Sequence, residues 1–344
     1  MALVFIDGFD HYATADITKK WSAALNGATI SGSSGRRGGG ALSVGNIAQS
    51  AYKSVSAAAT YTVGFAVNLS NFTYTTNLIC INEGSTQHIT LGLTTSGTLR
   101  VYRGPVIGGT TLATSTTTLS TGQWYYIELK VTVDDVNGVV ELRLNGSGSP
   151  EINLTATDTR NGGATGLIDR ISMGTAAGGA NYSQQCFIDD FYVTDTSGAV
   201  NTGFLGDVRV DTLLPTGDGN YTDFTPSAGS THYNLVDEST PNTTDYVSSS
   251  TVGDRDSYTF PALQMLTSQT IHGVQVNAAA LKSDSGSREL GLMTRLSSTD
   301  DDSSSIVLLT SQSYMSAIFE TDPAAAAWTE SNVNSAEFGV KVTA

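Results

Sequence analysis

The stretch WYYIELKVTVDDVNGVVELRLNG (residues 124–146) determines the fold class that this sequence predicts. Two runs of alternating apolar and polar residues flank the turn sequence DDVNG, and an alternation with a period of two indicates strands. The Asn137-Gly138 pair is typical of a tight turn, because both residues tolerate a positive φ. A second such pair, Asn145-Gly146, follows directly. The stretch therefore predicts a β-hairpin whose turn is made by Asn137-Gly138.

The sequence on both sides of this hairpin also indicates strands. Before it, β-branched and aromatic residues recur in near-alternation in the segments 4–9, 61–69, 78–82, 88–93 and 98–103. Only 14% of the 344 residues are charged, and a chain of this length suffices for about two domains. We predict an all-β protein with a first domain at residues 1–197 and a second at 198–344. The second is expected to begin with a strand at 204–210, and its residues 324–334 are expected to form either a short helix or an irregular cross-connection.

Composition excludes several classes of partner. The formal net charge of −15 opposes binding to nucleic acids and to anionic membranes. No uncharged run approaches membrane-spanning length, so membrane insertion is not expected.

The N-terminus has no basic start and Asp7 interrupts its apolar run, which argues against a signal peptide. Cys80 and Cys186 lie in apolar, strand-like contexts. We interpret them as buried free thiols of a protein made in a reducing cytosol, with a disulfide between them as the alternative.

The first domain resembles a concanavalin-A-like jelly roll of the laminin-G type. The matching features are the opening DGFD, the glycine-rich loop GRRGGGAL, the hairpin quoted above and the ending IDDFYV. In such folds the first and last strands lie side by side. The resemblance therefore implies that FIDGF and FIDDF, at the two ends of the domain, are neighbouring strands. Their phenylalanines are expected to share one core: Phe5, Phe9, Phe187 and Phe191.

The whole chain is similar to virion structural proteins of tailed bacteriophages, in which a jelly roll with an N-terminal DGFDHY precedes a second β domain. Matching stretches of the second domain include GFLGDVRVDTLLPTGDGNYTDFTP and FETDPAAAAWTESNVNSAEFGVKV. The resemblance implies a concanavalin-A-like jelly-roll sandwich followed by a smaller β-sandwich. It also implies a non-enzymatic virion surface protein, assembled in the bacterial cytoplasm and exposed on the particle.

Two roles are compatible with that resemblance. The favoured one is a tail-fibre or baseplate-associated protein that serves assembly and attaches to a host-surface glycan. The alternative is a capsid decoration or cement protein that stabilises the head. Both imply other virion proteins as partners and a homo-oligomer, for which a trimer is the common number in such appendages.

A polysaccharide-degrading enzyme is a third, disfavoured hypothesis. Retaining glycosidases place two carboxylates about 5 Å apart around the sugar, and the E-x-D-x-x-E spacing that carries them in this fold is missing. Glu128 and Glu141 would face each other across the hairpin only in one register, and we interpret both as part of a solvated strand face. The four histidines are dispersed, which disfavours zinc. We therefore assign no catalytic residue.

A carbohydrate site would need an aromatic platform beside polar side chains. The exposed candidates for such a site are Tyr102, Arg103, Tyr182 and Tyr221.

Three aspartates are candidates for a structural role or a cation site. Asp189 and Asp190 are adjacent, so on a strand they point to opposite faces. We expect one of them to bind backbone groups near the glycine-rich loop and the other to face solvent. Carboxylate oxygens are also the ligands that Ca²⁺ prefers, so a structural Ca²⁺ ion held by Asp7, Asp189 or Asp190 is the alternative. No other cofactor is expected.

Overall fold

The structure, a computed structural model, describes residues 2–45, 49–174, 185–265 and 269–344. Within these ranges β-strands dominate and the helices are short. The chain divides into two compact units, Met1–Val210 and Asp211–Ala344. The predicted all-β fold is confirmed.

The first unit is a sandwich of two antiparallel sheets. Its strands are β1 (Leu3–Asp7), β2 (Ala23–Leu25), β3 (Thr29–Ser31), β4 (Ala41–Val44), β5 (Ser50–Ala58), β6 (Thr60–Leu69), β7 (Thr76–Glu83), β8 (Thr86–Leu93), β9 (Thr98–Arg103), β10 (Thr110–Thr118), β11 (Trp124–Thr132), β12 (Gly138–Leu144), β13 (Ile152–Thr157), β14 (Ile168–Gly174) and β15 (Cys186–Thr194). Sheet A has the order β13-β12-β11-β6-β15-β4-β3, with β1 also paired to β15. Sheet B has the order β10-β9-β8-β7-β14-β5-β2.

The core of this unit lies between the two sheets. Successive side chains of a strand point to opposite faces, so every second residue faces the core. Val63 and Phe65 on β6 and Ile81 and Leu91 in sheet B are fully buried in this way. The predicted jelly-roll sandwich is therefore the fold observed.

The predicted hairpin forms, because β11 and β12 pair in a continuous antiparallel register. Its turn differs from the prediction, since neither Asn137 nor Gly138 has a positive φ. The carboxylate of Asp134 organises the turn by accepting hydrogen bonds from the backbone N–H groups of Val136 (2.8 Å) and Asn137 (2.6 Å). A glycine is needed at 138 for a different reason, because a Cβ there would collide with Thr159.

The two FID phrases are neighbours in sheet A, as predicted, since β1 pairs antiparallel with β15. Phe5, Phe9 and Phe191 surround Trp21, with ring centroids 5.1, 5.8 and 5.2 Å from that of the tryptophan. Aromatic contacts at such distances stabilise a core beyond simple burial. Phe187 does not join them and is only partly buried, because its place on β15 directs it to the other face of the sheet.

Residues 203–210, called the crossing segment below, form an irregular stretch where the sequence predicted a strand at 204–210. The segment lies on the outer face of sheet A. The Gly203 carbonyl accepts a hydrogen bond of 3.1 Å from the Thr194 hydroxyl, and the Arg143 guanidinium lies 4.0 Å from the Phe204 ring centroid. The prediction failed because the backbone of this segment bonds to side chains instead of to a neighbouring strand.

The crossing segment also explains where the first unit ends. Its Asp207 carboxylate binds both terminal nitrogens of Arg36, at 2.6 and 2.8 Å, and the Val210 N–H donates to Asp190 Oδ1 at 2.9 Å. These bonds keep the segment on the first unit. The chain therefore divides after Val210, whereas the sequence predicted a boundary between residues 197 and 198.

The second unit is a smaller β-sandwich. Its strands are β16 (Gly217–Thr222), β17 (Thr225–Pro226), β18 (Val247–Ser248), β19 (Arg255–Thr259), β20 (Val274–Ala280), β21 (Glu289–Leu296), β22 (Thr299–Asp302), β23 (Ile306–Val307), β24 (Ser313–Phe319) and β25 (Ala336–Val342). Sheet C has the order β16-β19-β25-β21-β22, with β23 paired to β21, while β20 pairs with β24 and β17 with β18. Leu292 and Phe338 of sheet C share one buried cluster with Met315 of β24 and with Trp328.

The helices are α1 (Ile17–Lys20) and α2 (Glu330–Ser335), with 3₁₀ turns at Thr14–Asp16 and Tyr233–Leu235. Helix α2 overlaps the predicted helical region and begins after Thr329, whose side chain accepts a hydrogen bond from the backbone N–H of Asn332. Among the described residues, no helix combines the length and the apolar character needed to cross a membrane.

Both cysteines are buried thiols that form no disulfide within the described residues, as predicted. Burial raises the pKa of Cys186 to about 12, so its thiol stays protonated and unreactive at neutral pH.

Candidate functional site

Asp7 lies in the core of the first unit, where it forms an internal ion pair. Its carboxylate accepts hydrogen bonds from the Tyr12 hydroxyl (2.6 Å) and from Trp21 Nε1 (2.7 Å), and Lys20 Nζ is 3.2 Å away. Burial alone would raise the pKa of Asp7, but the charges of Lys20 and His11 and the hydrogen bonds outweigh it and lower that pKa. Asp7 is therefore the acceptor that anchors the first turns of the chain.

Asp189 and Asp190 stand at a bulge of β15, where Asp190 has a φ of 50°. Asp189 accepts a hydrogen bond of 2.7 Å from the backbone N–H of Arg36 in the glycine-rich loop, as predicted for one of the pair. The other was predicted to face solvent, and this is wrong, since Asp190 is 3% exposed. The bulge turns it towards the Arg36 guanidinium and the Val210 N–H. Burial, together with the charge of Asp190, raises the pKa of Asp189 to about 7.

Two of these three aspartates form ion pairs within the first unit. Asp7 pairs with Lys20, and Asp190 pairs with Arg36, so cations of the chain itself neutralise them. In the described ranges, no group of three or more His, Cys, Asp or Glu side chains is arranged to hold a metal ion. The Ca²⁺ ion remains a prediction that no observation tests.

Tyr221 belongs to a network of ion pairs in the second unit. The guanidinium groups of Arg255 and Arg295 lie 5.4 and 5.0 Å from its ring centroid. Its hydroxyl donates a hydrogen bond of 2.8 Å to Asp300, which also accepts from Arg295. The ring is thus already occupied by cations of the chain and offers no free platform to a sugar.

The remaining predicted ligand-binding residues do not form one site. Tyr102 and Arg103 are successive residues of β9 and therefore point to opposite faces of sheet B. Arg103 pairs with Asp158, whereas Tyr102 lies on the outer face and is 5% exposed. Tyr182 lies outside the described residues, and Tyr221 lies in the other unit.

The outer face of sheet A is closed by the crossing segment. Glu128, predicted to be solvated, is 1% exposed, and its Oε1 accepts hydrogen bonds from the Tyr192 hydroxyl (2.5 Å) and from the N–H groups of Leu205 (3.0 Å) and Gly206 (2.8 Å). The hairpin register does not place Glu128 opposite Glu141. Glu128 therefore holds the chain together and is not accessible to a substrate.

The outer face of sheet B, in contrast, carries an open pocket of about 400 Å³. Its lining residues are Tyr52, Ser54, Val55, Gly84, Asp169 and Arg170. The Arg170 guanidinium lies 3.7 Å from the Tyr52 ring centroid, and its Nε donates to the Ser172 hydroxyl at 3.2 Å. In the part of the chain that the structure describes, no carboxylate pairs with Arg170. The pocket therefore presents an aromatic ring together with a guanidinium whose charge is not neutralised by any described carboxylate.

Buried polar atoms without partners lie next to this pocket. Asn82 on β7 is opposite Arg170 in the sheet register, so both side chains point to the outer face. Asn82 is 2% exposed, and its side-chain oxygen has no hydrogen-bond partner. Among the described residues, the side-chain oxygen of Gln87 on the next strand also lacks a hydrogen-bond partner. Buried polar groups are normally bonded, so an unbonded amide oxygen beside Arg170 is an unusual feature of this face.

His88 anchors a loop beside the pocket. Its Nδ1 accepts a hydrogen bond from the backbone N–H of Asn161 (3.2 Å), which assigns the ring proton to Nε2, 3.4 Å from Glu83 Oε2. Hydrogen bonds from the backbone N–H of Thr165 and of Gly166 hold the pKa of Glu83 at about 2. Burial lowers the pKa of His88, so the imidazole is neutral. This pair fixes the loop between β13 and β14.

Comparisons with known proteins identify no family. No family model matches the chain, and no curated protein matches it. It is similar to the solved structure of the alginate lyase Aly36B, at 13% identity and a TM-score of 0.39 over 54% of this chain and 92% of that one. It is also similar to a Trypanosoma rangeli sialidase, at 13% identity and a TM-score of 0.34 over 48% of this chain and 26% of that one. A third similar structure is the carbohydrate-binding module CBM66 from Bacillus subtilis, at 8% identity and a TM-score of 0.32 over 50% of this chain and 94% of that one.

These findings correct the predicted function. The structures named above are carbohydrate-active enzymes and a carbohydrate-binding module, and none is a virion protein. The prediction of a phage virion surface protein, on the tail or as a capsid decoration protein, is contradicted and is withdrawn. At such low similarity the likeness concerns the fold alone. The predicted homo-oligomer, its partner proteins and a location on a virion are tested by none of these comparisons.

Proposed function

We propose that the first unit binds carbohydrate on the outer face of sheet B, in the pocket beside Tyr52 and Arg170. The observation that carries the proposal is the Arg170 guanidinium, which lies 3.7 Å from the Tyr52 ring centroid and has no carboxylate partner among the described residues. Sugar-binding sites combine an apolar surface with a few convergent polar groups, and this pocket offers both.

Binding without catalysis fits the residues of this pocket best. Hydrolysis of a glycosidic bond uses a pair of carboxyl groups, and Asp169 is the one carboxylate among the lining residues. Its Oδ1 is bonded to the Gly84 N–H at 2.6 Å. Glu83 is committed to the neighbouring loop, and His88 is fully buried with its Nδ1 bonded. None of these groups is placed as a free acid or base.

Titration calorimetry of the full chain with a panel of neutral and acidic oligosaccharides tests the proposal. We expect at least one oligosaccharide to bind without being shortened, and Arg170→Ala and Tyr52→Ala each to weaken that binding about tenfold or more. Arg143→Ala is the matched control, since it removes an arginine stacked on an aromatic ring on the other sheet. Absence of binding across the panel, or full affinity of the Arg170→Ala protein, would contradict the proposal.

A further inference from the structure

A second arginine–tyrosine pair lies on the same face of sheet B. Arg100 and Tyr102 are two residues apart on β9, and the guanidinium lies 6.0 Å from the ring centroid. Arg100 Nε donates a hydrogen bond of 3.0 Å to the Thr114 hydroxyl on β10. Among the residues that the structure describes, no carboxylate pairs with Arg100. Like Arg170, it is a partly exposed cation in a protein whose net charge is −15.

The sheet register links the two pairs by one row of residues. The row runs across β5, β14, β7, β8 and β9 as Tyr52, Ser172, Cys80, Thr90 and Tyr102. Four spacings between neighbouring strands separate the two tyrosines, which is about 19 Å along the sheet. The three residues between them are short and buried, and Tyr102 is 5% exposed, so a ligand on this face meets mainly Tyr52 and the two arginine side chains.

The chemistry of the two ends indicates what kind of chain would span them. A guanidinium binds a carboxylate through two parallel hydrogen bonds, and such charge-assisted bonds are about twice as strong as neutral ones. The negative charge of the whole protein repels an anionic polymer at long range, so recognition must come from these local contacts. A neutral glycan would leave both guanidinium groups unused. A single acidic sugar would reach one of them.

We propose that this face binds a polysaccharide whose sugars carry carboxylates, with one carboxylate at Arg170 beside Tyr52 and another at Arg100 beside Tyr102. The proposal rests on the carbohydrate-binding function proposed above and specifies its substrate class.

The experiment compares polyuronic acid oligomers of increasing length with the same oligomers after reduction of their carboxyl groups to alcohols. Titration calorimetry uses the full chain. We expect affinity to rise with length until the oligomer spans both arginines, and carboxyl reduction to lower it at least about tenfold. Arg100→Ala should weaken binding of long oligomers about tenfold and leave that of a disaccharide unchanged, whereas Arg170→Ala should weaken both.

Arg100→Lys keeps the charge and removes the planar fork, so it should also bind long oligomers less tightly than the unaltered protein. An unchanged melting temperature of each variant shows that its fold is intact. Equal binding of native and reduced oligomers would overturn the acidic substrate while leaving the carbohydrate-binding function in place. Binding of neither would overturn both. Unaltered affinity of Arg100→Ala for long oligomers would overturn the second subsite.

Discussion

Two residues of the first unit make the free energy of unfolding depend on pH in opposite senses. The pKa of Asp189 is raised from 3.8 to about 7, so between these values the folded protein keeps a proton that the unfolded chain has released. The free energy of unfolding therefore falls as pH rises through this range, by about 1.4 kcal/mol per pH unit. His11 acts in the opposite sense, because burial lowers its pKa from 6.5 to about 3 and its folded form resists protonation. The two contributions overlap between about pH 4 and 6.

The substitution Asp189→Asn separates the contribution of Asp189 to the pH dependence of stability from that of His11. The variant lacks the proton release of Asp189, so its stability relative to the unaltered protein should rise by about 1.4 kcal/mol per pH unit between about pH 4 and 7. Urea denaturation of both proteins at a series of pH values measures this difference. Asp135→Asn, which changes an exposed carboxylate of the same unit, serves as the control and should show no such trend. A constant difference for Asp189→Asn would show that Asp189 ionises normally.

Among the elements, the crossing segment depends on one carboxylate. Glu128 accepts two backbone hydrogen bonds from it and a third bond from Tyr192. In Glu128→Ala the Tyr192 hydroxyl and the Gly206 N–H would lose this acceptor, whereas the Leu205 N–H would keep the Tyr192 hydroxyl at 3.1 Å. Leaving buried donors unbonded costs about 1–3 kcal/mol. We expect the segment to detach more often in this variant, and trypsin to cleave faster after the exposed Arg209.

Limited proteolysis followed by mass spectrometry measures this cleavage rate. Glu141→Ala is the matched control, because Glu141 stands on the partner strand and its carboxylate bonds to Arg143, not to the backbone of the crossing segment. That variant should be cleaved at the rate of the unaltered protein. Equal rates for Glu128→Ala and Glu141→Ala would mean that Glu128 does not hold the segment.

For the whole molecule, the position of the unit boundary decides which fragment is stable. A fragment of residues 1–210 keeps the bonds of the crossing segment to Glu128, Arg36 and Asp190, whereas one of residues 1–197 leaves these charged groups uncovered. We expect the longer fragment to unfold at the higher temperature in a thermal scan followed by circular dichroism. Identical melting temperatures would place the boundary where the sequence predicted it.

Alternation of apolar and polar residues sufficed to predict most strands of the first unit, because that pattern reports which side of a strand is buried, whereas the sandwich was inferred from the resemblance of the first domain to a jelly roll. It could not predict elements built by side-chain bonds to the backbone, such as the turn at Asp134 or the crossing segment. The candidate site was missed for another reason. Tyr52, Asn82 and Arg170 come from three strands far apart in the sequence, and only the pairing of β14 between β5 and β7 makes them neighbours.

The crossing segment has a mechanical consequence. The second unit begins at Asp211, so a pulling force on it enters the first unit through residues 203–210 before it reaches β15. The bonds of Val210 to Asp190, of Asp207 to Arg36 and of Gly206 to Glu128 must break before that load can peel the last strand away from its sheet. If the protein is held by its sheet B face, the first unit would thus withstand tension, because the bonds of the crossing segment break before the hydrogen bonds between the strands of sheet A.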